Sequence, residues 1–393
     1  MAASPQRAVS LLGATGSVGR TVRAVVAGAG GQFRIAAVAG GSDAAGLAQA
    51  AVEAGTDFAA IADPKGYAAL KDALSGRKIK IAAGPEAIVE AALWPADIVV
   101  AAIVGTQGVV PAFAAVSAGR RVALANKETL VCAGGPVMRA AADAGAQILP
   151  MDSEHNAIFQ ALAGAPVSTI ETMTLTASGG PFRTWTAERI NAATRAEALT
   201  HPNWSMGPKI TVDSATMMNK GLELIEAHHL FAIAPQRLSV VVHPQSIVHG
   251  LVSFADGMVI AGLACPDMAV PVAHCLGWPD RLPTGARRLD LASAGTLTFE
   301  APDLARFPAL RLAHEALAAG AGLPTILNGA NEIAVAAFLD GKIDFPGIAW
   351  LVGRVIEAGL REGFAREPAD ITAALELHHL AQARAMALLD AAG

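Results

Sequence analysis

The chain has 393 residues, of which 53% are hydrophobic and 16% charged, with a formal net charge of −5. This length exceeds one ordinary core, so we expect two or three domains. The acidic balance, without a basic patch or tail, excludes a typical nucleic-acid-binding protein.

The amino-terminal segment and the cysteines bear on the compartment. Residues 1–7 lack a positively charged stretch followed by an apolar one, so we expect no signal peptide. The three cysteines show no C-x-x-C spacing and cannot all pair, which favours a reducing cytoplasm. The uncharged run at residues 98–119 is interrupted by glycine and proline, so it predicts a strand, a turn and a helix rather than a membrane span.

The first apolar strand, residues 8–12, leads into a glycine-rich turn at residues 13–19, and a helical pattern follows. A glycine motif between a strand and a helix is typical of dinucleotide binding, because the backbone can approach the pyrophosphate at the helix amino end. The alternative is a turn whose glycines only pack the helix on the sheet.

The second strand, residues 33–39, ends in Gly40, Gly41 and Ser42. An NAD site usually has an acidic residue here to bind the ribose hydroxyls. Asp43 is better interpreted as the N-cap of the next helix. This favours NADP over NAD, although no lysine or arginine in this stretch would meet the additional phosphate.

Polar residues follow later strands. The strand at residues 121–125 ends in Asn126, Lys127 and Glu128, which indicates either a ligand site or a surface turn. The strand at residues 148–149 leads to Asp152 and Glu154.

If that strand continues, Asp152 and Glu154 face the same side of the sheet. Two close carboxylates repel each other unless a cation relieves them, and such hard oxygen ligands suit Mg²⁺ or Mn²⁺. The competing interpretation is a solvated turn that caps a helix at residues 157–162, and spacing alone does not separate the two.

Two loops follow in the middle of the chain. The turn after the strand at residue 175 contains Ser178 and two glycines, which can bind an anion. Residues 201–209 contain two prolines, Trp204 and Met206, which predicts a long loop able to close as a lid. The alternative is a static loop packed on the surface.

A helix is predicted to start near Ser214 or Thr216. One face of this helix carries Asn219, Lys220 and Glu223 at i, i+3 and i+4 spacing. It is either part of a site or a solvated face, and spacing leaves Glu223 and Glu226 both open as a third metal ligand. A strand, a turn and a second strand are predicted at residues 240–249.

The last part of the chain predicts an irregular linker at residues 289–308 and then helices at 310–318, 331–339, 348–360 and 371–389. Their apolar residues recur at helical spacing, which indicates a small helical bundle. Within it, His378 and His379 are interpreted as surface or packing residues.

Several of these motifs stand together in order at residues 13–19, 125–128, 151–160, 177–183, 201–207, 213–226, 243–249 and 327–333. In this combination the chain resembles the 1-deoxy-D-xylulose 5-phosphate reductoisomerase family over nearly its whole length. The long blocks at 201–207 and 213–226 are specific in a way that a glycine triplet is not.

The resemblance implies an α/β fold with a Rossmann-like NADPH domain at residues 1–150. It implies a central α+β catalytic domain with a flexible lid loop at residues 151–288, and a linker at residues 289–308. A C-terminal helical bundle at residues 309–393 completes the expected architecture, and the implied assembly is a homodimer.

The implied reaction rearranges a linear ketose phosphate and reduces the resulting aldehyde with NADPH. It gives 2-C-methyl-D-erythritol 4-phosphate in the non-mevalonate route to isoprenoids, and it requires Mg²⁺, Mn²⁺ or Co²⁺. The implied partners are therefore a sugar phosphate, NADPH and a divalent cation, with neither nucleic acid nor membrane.

The resemblance also assigns residues. The implied metal ligands are Asp152, Glu154 and Glu223, so that Glu223 is preferred to Glu226. The implied substrate contacts and catalytic residues add Lys127, Ser153, Ser178, His201, Trp204, Met206, Ser214, Asn219 and Lys220. The implied NADPH contacts are Thr15, Gly16, Ser17, Val18, Gly40, Gly41, Ser42, Asn126, Glu128 and Gly207.

The chain departs from the family pattern at Gly41 and Ser42, where several members carry Lys-Asn. Two other functions fit parts of the sequence. A metal-dependent dehydrogenase that only transfers hydride would not need the phosphate pocket and lid. A nucleotide-sensing module would use the carboxylates only structurally.

Overall fold

The computed structural model describes residues 6–202, 204 and 206–392. The chain separates into two compact units, each built from discontinuous segments. The first unit contains the described residues up to Thr129, Val137–Asn156 and Asp267–Arg287. The second unit contains Leu130–Pro136, Ala157–Pro266 and the chain from Arg288 onwards.

The strands are β1 (Arg7–Leu12), β2 (Phe33–Gly40), β3 (Phe58–Ile61), β4 (Lys80–Ala83), β5 (Ile98–Ala101), β6 (Arg121–Leu124), β7 (Gln147–Pro150), β8 (Ile170–Ala177), β9 (Leu238–Val242), β10 (Val248–Phe254) and β11 (Val259–Leu263). The helices of the first half are α1 (Ser17–Gly28), α2 (Ala44–Ala54), α3 (Tyr67–Ala73), α4 (Pro85–Leu93), α5 (Val109–Ser117), α6 (Glu128–Ala144), α7 (Ser153–Leu162), α8 (Ala187–Asn191) and α9 (Arg195–Ala198). Those that follow are α10 (Pro208–Ala215), α11 (Met218–Phe231), α12 (Ala269–Gly277), α13 (Leu291–Ala294), α14 (Pro308–Ala319), α15 (Leu323–Leu339), α16 (Phe345–Glu362) and α17 (Ile371–Ala392).

The first unit is built on a parallel sheet with strand order β4-β3-β2-β1-β5-β6-β7. Its central strands, β1, β2 and β5, are rich in Val, Ile, Leu and Ala and are mostly buried, as expected for a sheet covered on both faces. Because all strands run the same way, the loops after their carboxyl ends meet at one edge of the sheet.

Two glycines determine how α1 follows β1. Gly13 has φ +92°, and a Cβ there would lie 2.4 Å from the carbonyl oxygen of Ala102. A Cβ on Gly19 would lie 2.2 Å from the carbonyl oxygen of Gly13. Any larger residue would push the helix away from the turn. The tight turn and the close packing of α1 on it therefore both require glycine at these positions.

The second unit contains a mixed sheet with strand order β11-β10-β8-β9. The β8–β9 pair is parallel, whereas β10 pairs antiparallel with both β8 and β11. The unit also contains the C-terminal helices, in which α15 packs against α16 and α17 and is buried along most of its length. One hydrophobic cluster joins the sheet, α11 and this bundle.

Some sequence predictions at the level of elements are wrong. The strand β7 ends at Pro150 and α7 begins at Ser153, so Asp152 and Glu154 are not alternate residues of one strand. The helix predicted to start near Ser214 or Thr216 is two helices, α10 and α11, because Met217 adopts φ +61° between them. The stretch predicted to be irregular, residues 289–308, contains α13 and the first residue of α14.

Other predictions are confirmed. Residues 240–249 form the end of β9, a turn and the start of β10. The uncharged run at residues 98–119 forms β5, a short 3-10 helix and α5. Within residues 6–202, 204 and 206–392, none of the helices combines the length and apolarity that crossing a bilayer requires. The predicted C-terminal helices are present, and the one predicted at 331–339 begins eight residues earlier.

Candidate functional site

The carboxyl edge of the parallel sheet in the first unit is where a ligand is expected. The chain leaves β1 towards β2 on one side, and β5 lies on the other side of β1, so the strand order reverses between β1 and β5. In open α/β sheets, ligands bind outside the strand ends at this point. The loops after β1, β2, β5, β6 and β7 all belong to this edge.

The amino end of α1 is open to solvent. Its N-cap residue, Gly16, offers no side-chain cap, and both Gly16 and Ser17 are exposed. Thr15 and Val18 beside them are half-buried. The first backbone N–H groups of a helix have no intrahelical acceptor and carry the positive end of the helix dipole, so this end can bind a phosphate.

The end of β2 carries Gly41 and Ser42, which are both exposed. The backbone N–H of Gly46 donates to Asp43 Oδ1 at 2.9 Å, which confirms the interpretation of Asp43 as the N-cap of α2. Its carboxylate is therefore engaged at the helix end.

A cation that the sequence analysis missed lies next to this loop. The N–H groups of Ala62 and Asp63, after β3, donate to the carbonyl oxygens of Gly40 and Gly41 at 2.8 and 3.1 Å. Two residues later comes Lys65, which is exposed. The strand order could have indicated this lysine, because β3 and β2 are adjacent parallel strands and the residues that follow them lie at the same edge of the sheet.

Asn126 connects two loops of this edge. Its Nδ2 donates to the carbonyl oxygens of Ile103 and Gly105 at 2.7 and 2.9 Å, and to Glu128 Oε2 at 2.8 Å. Its Oδ1 accepts from the backbone N–H of Thr129 at 2.9 Å. Asn126 and Glu128 are 2% and 5% exposed, so their first role in this structure is to fix the loops after β5 and β6.

Lys127 brings a positive charge to Asp152. The Lys127 ammonium and the Asp152 carboxylate form an ion pair in which both side chains are mostly buried. The Ser153 hydroxyl donates to Glu154 Oε2 in the first turn of α7. The first unit thus places two carboxylates, one ammonium and one hydroxyl after β6 and β7.

The turn that carries these groups is anchored from behind by Asn156 and α12. Asn156 Nδ2 donates to the carbonyl oxygen of Pro150 at 2.8 Å and lies 3.0 Å from His274 Nδ1. Burial, and secondarily the charge of Arg281, lowers the pKa of His274 to about 4, so the imidazole is neutral and its Nδ1 can accept. The Cys275 thiol donates to the same Pro150 carbonyl at 3.2 Å.

In the second unit, Ser178 contacts His201. His201 Nδ1 accepts from the backbone N–H of Trp204 at 2.9 Å, so the neutral ring carries its proton on Nε2. That Nε2–H donates to Ser178 Oγ at 3.1 Å, and the N–H of Gly180 donates to the same oxygen at 3.1 Å. The Ser178 oxygen therefore accepts twice, and its own proton can be donated to an anion.

The Ser178 turn packs against the end of α10. Gly180 has φ +66°, and a Cβ there would lie 2.7 Å from the carbonyl oxygen of Ser214. The left-handed Met217 then turns the chain into α11, so Asn219 and Lys220 occupy the first turn of that helix. A hydroxyl turn, Ser214 and a helix amino end are thereby held on neighbouring segments of one unit.

Glu223 is a buried carboxylate with two donors. Asn219 Nδ2 donates to its Oε1 at 2.5 Å, and Lys220 Nζ donates to its Oε2 at 2.6 Å. Glu223 is 1% exposed, and Glu226 is fully buried one turn away. The predicted face of Asn219, Lys220 and Glu223 is therefore a buried polar cluster, which rules out the solvated face.

The predicted lid stretch, residues 201–209, lies between α9 and α10 and extends into the first residues of α10. Trp204 and Met206 are half-buried, and Gly207 is the N-cap of α10. The positions Asn203 and Ser205 lie outside the described residues, as do residues 1–5 of the segment used for the signal-peptide prediction.

Family models match three consecutive parts of the chain. Residues 9–134 match 1-deoxy-D-xylulose 5-phosphate reductoisomerase, residues 148–231 match the C-terminal domain of that enzyme, and residues 263–385 match the DXP reductoisomerase C-terminal domain. A protein of Bradyrhizobium sp. strain BTAi1 named 1-deoxy-D-xylulose 5-phosphate reductoisomerase is 54% identical over 98% of this chain and 94% of its own.

The chain belongs to the 1-deoxy-D-xylulose 5-phosphate reductoisomerase family.

Solved structures of reductoisomerases agree with this assignment. The enzyme of Zymomonas mobilis in complex with NADPH is 42% identical, with a TM-score of 0.92 over 98% of this chain and 99% of that one. A second reductoisomerase structure, which contains NADPH, fosmidomycin and magnesium, is 41% identical with a TM-score of 0.91 over 98% of both chains. The predicted α/β fold with a Rossmann-like sheet and a helical C-terminal region is thus confirmed.

The reductoisomerase residues fall into two groups by unit. The first unit holds the predicted NADPH contacts from Thr15 to Ser42 with Asn126 and Glu128, and it also holds Lys127, Asp152, Ser153 and Glu154. The second unit holds Ser178, His201, Trp204, Met206, Gly207, Ser214, Asn219, Lys220 and Glu223. The roles of the individual residues remain predictions.

Proposed function

We propose that this chain converts 1-deoxy-D-xylulose 5-phosphate into 2-C-methyl-D-erythritol 4-phosphate with NADPH and a divalent cation, in non-mevalonate isoprenoid synthesis. The observation that carries this proposal is the match to reductoisomerases along almost the entire chain, at 52–54% identity to eight curated relatives. The proposal also draws on the NADPH and magnesium named in the reductoisomerase structures.

The proposed metal ligands are Asp152, Glu154 and Glu223. Carboxylate oxygens are the donors that Mg²⁺ and Mn²⁺ prefer. The environment of the carboxylates fits a cation, since Asp152 already pairs with the Lys127 ammonium and the buried Glu223 pairs with that of Lys220. A bound divalent cation would supply Lewis acidity to the carbonyl and the neighbouring hydroxyl of the ketose.

The proposed phosphate pocket is formed by Ser178, Ser214, Asn219 and Lys220, with His201 beside it. The Ser178 hydroxyl is oriented as a donor, and Lys220 adds positive charge at the amino end of α11, where the helix dipole also favours an anion. The phosphate is remote from the reacting carbons, so its binding energy can hold the substrate in place while the carbon skeleton rearranges.

The proposed substrate contacts at the reacting end are Lys127 and Ser153, together with the ligand Glu154. The Lys127 ammonium and the Ser153 hydroxyl lie next to the two carboxylates of the first unit, where they can orient the oxygens of the ketose. Trp204 and Met206 form the proposed lid, whose apolar side chains would exclude water from the reacting carbons.

The proposed NADPH site follows the carboxyl edge of the parallel sheet. The open end of α1, with Thr15, Gly16, Ser17 and Val18, would bind the pyrophosphate. Gly40, Gly41 and Ser42 would border the adenosine ribose, and Lys65 adds the cation for its phosphate. Asn126 and Glu128 would act by fixing the loops beside the nicotinamide, and Gly207 completes the proposed set. NADPH supplies the hydride that reduces the aldehyde.

We also propose that the protein acts as a cytoplasmic homodimer. One of the two edge strands of the mixed sheet, β11, presents Val259, Ile260 and Leu263, which are 50%, 42% and 40% exposed. An apolar strand at a sheet edge is a strong candidate for an interface, because soluble proteins otherwise protect such edges.

The decisive experiment measures NADPH oxidation with each component omitted in turn. Oxidation that requires both the ketose phosphate and Mg²⁺, and stops on addition of EDTA, supports the proposal. A dehydrogenase that only transfers hydride would accept carbonyl compounds without the phosphate. A nucleotide-sensing module would bind NADPH without consuming it, and either result would contradict the proposed reaction.

A further inference from the structure

A second polar cluster lies in the second unit, among residues to which the proposed reaction assigns no role. It contains Cys132 from α6, Asn328 and Glu332 from α15, and His378 from α17. Cys132 is 2% exposed, and Asn328 and His378 are fully buried. Buried polar side chains usually form hydrogen bonds, so the contacts within this cluster indicate the chemistry that it can support.

A kink in α6 sets the position of Cys132. Pro136 lies inside the helix and cannot donate to the carbonyl oxygen four residues before it, which is that of Cys132. The Thr325 hydroxyl donates to this oxygen instead, at 2.8 Å. Ala133 leaves the helical conformation, with φ −137° and ψ 28°. The segment that carries the thiol is therefore attached to α15.

The thiol, an imidazole and a carboxylate form a chain of contacts. Cys132 Sγ lies 3.9 Å from His378 Nδ1, within hydrogen-bonding reach for sulfur. His378 Nε2 lies 3.2 Å from Glu332 Oε2. The same carboxylate accepts from Gln382 Nε2 at 2.9 Å, which holds it in place. A nucleophile, a base and a group that orients the base follow one another in the order used by activated cysteines.

The charges favour proton transfer from the thiol to the ring. The charge of Glu332, 3.2 Å from Nε2, favours the tautomer with its proton on that nitrogen, and in this tautomer Nδ1 can accept from Cys132. Burial raises the pKa of Glu332, but contacts with His378 and the charge of Lys209 outweigh it, so the net pKa is lowered and the group is a carboxylate. Asn328 Nδ2 also donates to Cys132 Sγ at 3.4 Å, which stabilises a thiolate.

Cys132 also lines a small cavity of about 90 Å³, bordered by Gly134, His229, Thr325 and Glu367 among others. A water molecule takes about 30 Å³ of liquid volume, so the space admits hydrogen peroxide. Within the part of the chain that the structure describes, the buried Asn328 Oδ1 accepts no hydrogen bond.

We propose that Cys132 is a peroxide-reactive thiol, with His378 as its base and Glu332 as the residue that positions the base. In the step, His378 takes the thiol proton and the sulfur attacks one peroxide oxygen. The O–O bond breaks as the S–O bond forms, and the leaving hydroxide receives a proton to give water. The cysteine is oxidised to a sulfenic acid and hydrogen peroxide is reduced, independently of the proposed reductoisomerase reaction.

The other two cysteines are internal controls. Cys275 is completely buried, donates to the carbonyl oxygen of Pro150, and has a pKa raised by burial. Cys265 is also buried, at 6% exposure. Simple exposure would therefore not favour Cys132 over Cys265, and any difference in rate would report activation.

The experiment exposes the folded full-length protein to hydrogen peroxide for a set time, removes the peroxide with catalase, unfolds the protein in the presence of dimedone, and follows each cysteine by peptide mass spectrometry. We expect the adduct at Cys132 to form about tenfold faster or more than at Cys265 or Cys275, the change in thiolate fraction for one pKa unit. C132A should lose this adduct and keep its reductoisomerase activity. Equal rates at the three cysteines would overturn the proposal.

Two variants test the role of the neighbours. Glu332→Gln keeps the volume and removes the charge, and His378→Gln removes the base. Each should slow labelling of Cys132 by about tenfold and leave Cys265 and Cys275 unchanged. Loosened packing would instead accelerate labelling at all three positions. The direction of the change in labelling rate therefore separates loss of thiol activation from loss of packing. Unchanged or faster labelling of Cys132 in a folded Glu332→Gln variant would contradict the positioning role.

Discussion

At the scale of single residues, Glu223 of the buried cluster on α11 is a proposed metal ligand. The substitution Glu223→Gln removes one anionic ligand while keeping a similar shape, and the amide oxygen can still accept from Lys220. We expect kcat to fall by at least about 100-fold, since even groups that only support metal ligands are worth 10–100-fold. NADPH binding should persist, because the proposed nucleotide contacts lie mainly in the first unit.

The measurement combines steady-state turnover at several Mg²⁺ concentrations with a fluorescence titration of NADPH. Glu171→Gln is a matched control, because Glu171 is an exposed glutamate on β8 of the same unit. A thermal melt checks that loss of the Lys220 partner has not unfolded the protein. Full activity in Glu223→Gln would remove the basis for this metal ligand.

A second prediction concerns Lys65, which sequence reasoning did not identify. If it meets the ribose phosphate of NADPH, Lys65→Ala should raise the KM for NADPH by about tenfold, equivalent to 1.4 kcal/mol. The KM for NADH should not change, because NADH lacks that phosphate.

Lys71→Ala is the control for Lys65→Ala, since Lys71 is an exposed lysine on the neighbouring α3. Parallel changes in both KM values would show that Lys65 does not read the phosphate. Lys65 was missed because a cation was sought only among the residues that follow β2 in the sequence. Lys65 instead follows the adjacent strand β3.

At the scale of elements, the turn from β1 to α1 allows a test with two glycines of one helix. A Cβ on Gly19 would lie 2.2 Å from the Gly13 carbonyl oxygen, whereas a Cβ on Gly28 would meet nothing within 4 Å. Gly19→Ala should therefore displace α1, destabilise the protein by about 1–3 kcal/mol and weaken NADPH binding.

Gly28→Ala is the matched substitution at the other end of α1. It should be neutral or stabilising by up to about 1 kcal/mol, because alanine is the better helix former. Urea unfolding and an NADPH titration measure both variants. If Gly19→Ala bound NADPH as tightly as the unchanged protein, the turn would not be shaped for the pyrophosphate.

Element positions followed from the sequence where periodicity was strong. Five strands of the parallel sheet (β1, β2, β5, β6 and β7) and the C-terminal helices were predicted because apolar runs and helical spacing dominate them, whereas the short strands β3 and β4 were not predicted. The break at Met217 was not, since one left-handed residue leaves no periodic signal. The start of α7 was not either, because Asp152 and Ser153 suit both the end of a strand and the cap of a helix. For this reason Asp152 and Glu154 were misplaced on one strand, although their proximity in the first unit was anticipated.

At the scale of the whole molecule, pattern reasoning had least to offer. Residues 267–287 return to the first unit, where α12 supports the turn after β7, and residues 130–136 belong to the second unit. Sequence patterns divide a chain into consecutive segments, so they cannot show that a segment packs with a unit other than that of its neighbours in the sequence. The domain boundaries at residues 150, 288 and 308 therefore remain predictions. The prediction that a nucleotide-binding fold acts here on a sugar phosphate came from the family resemblance, because composition does not indicate a substrate.

The proposed dimer gives the last prediction. Val259 and Leu263 lie on β11, an edge strand of the mixed sheet, and are four residues apart on one face of it. If a second copy covers this strand, replacing both with lysine should convert the dimer to a monomer, because charged side chains on an edge oppose strand association. Leu291→Lys, at a position that is 60% exposed on α13, should leave the dimer intact. Light scattering coupled to size-exclusion chromatography measures the mass of each variant. A double variant that remains dimeric would place the interface on a surface other than β11, and a monomeric Leu291→Lys would point to general destabilisation.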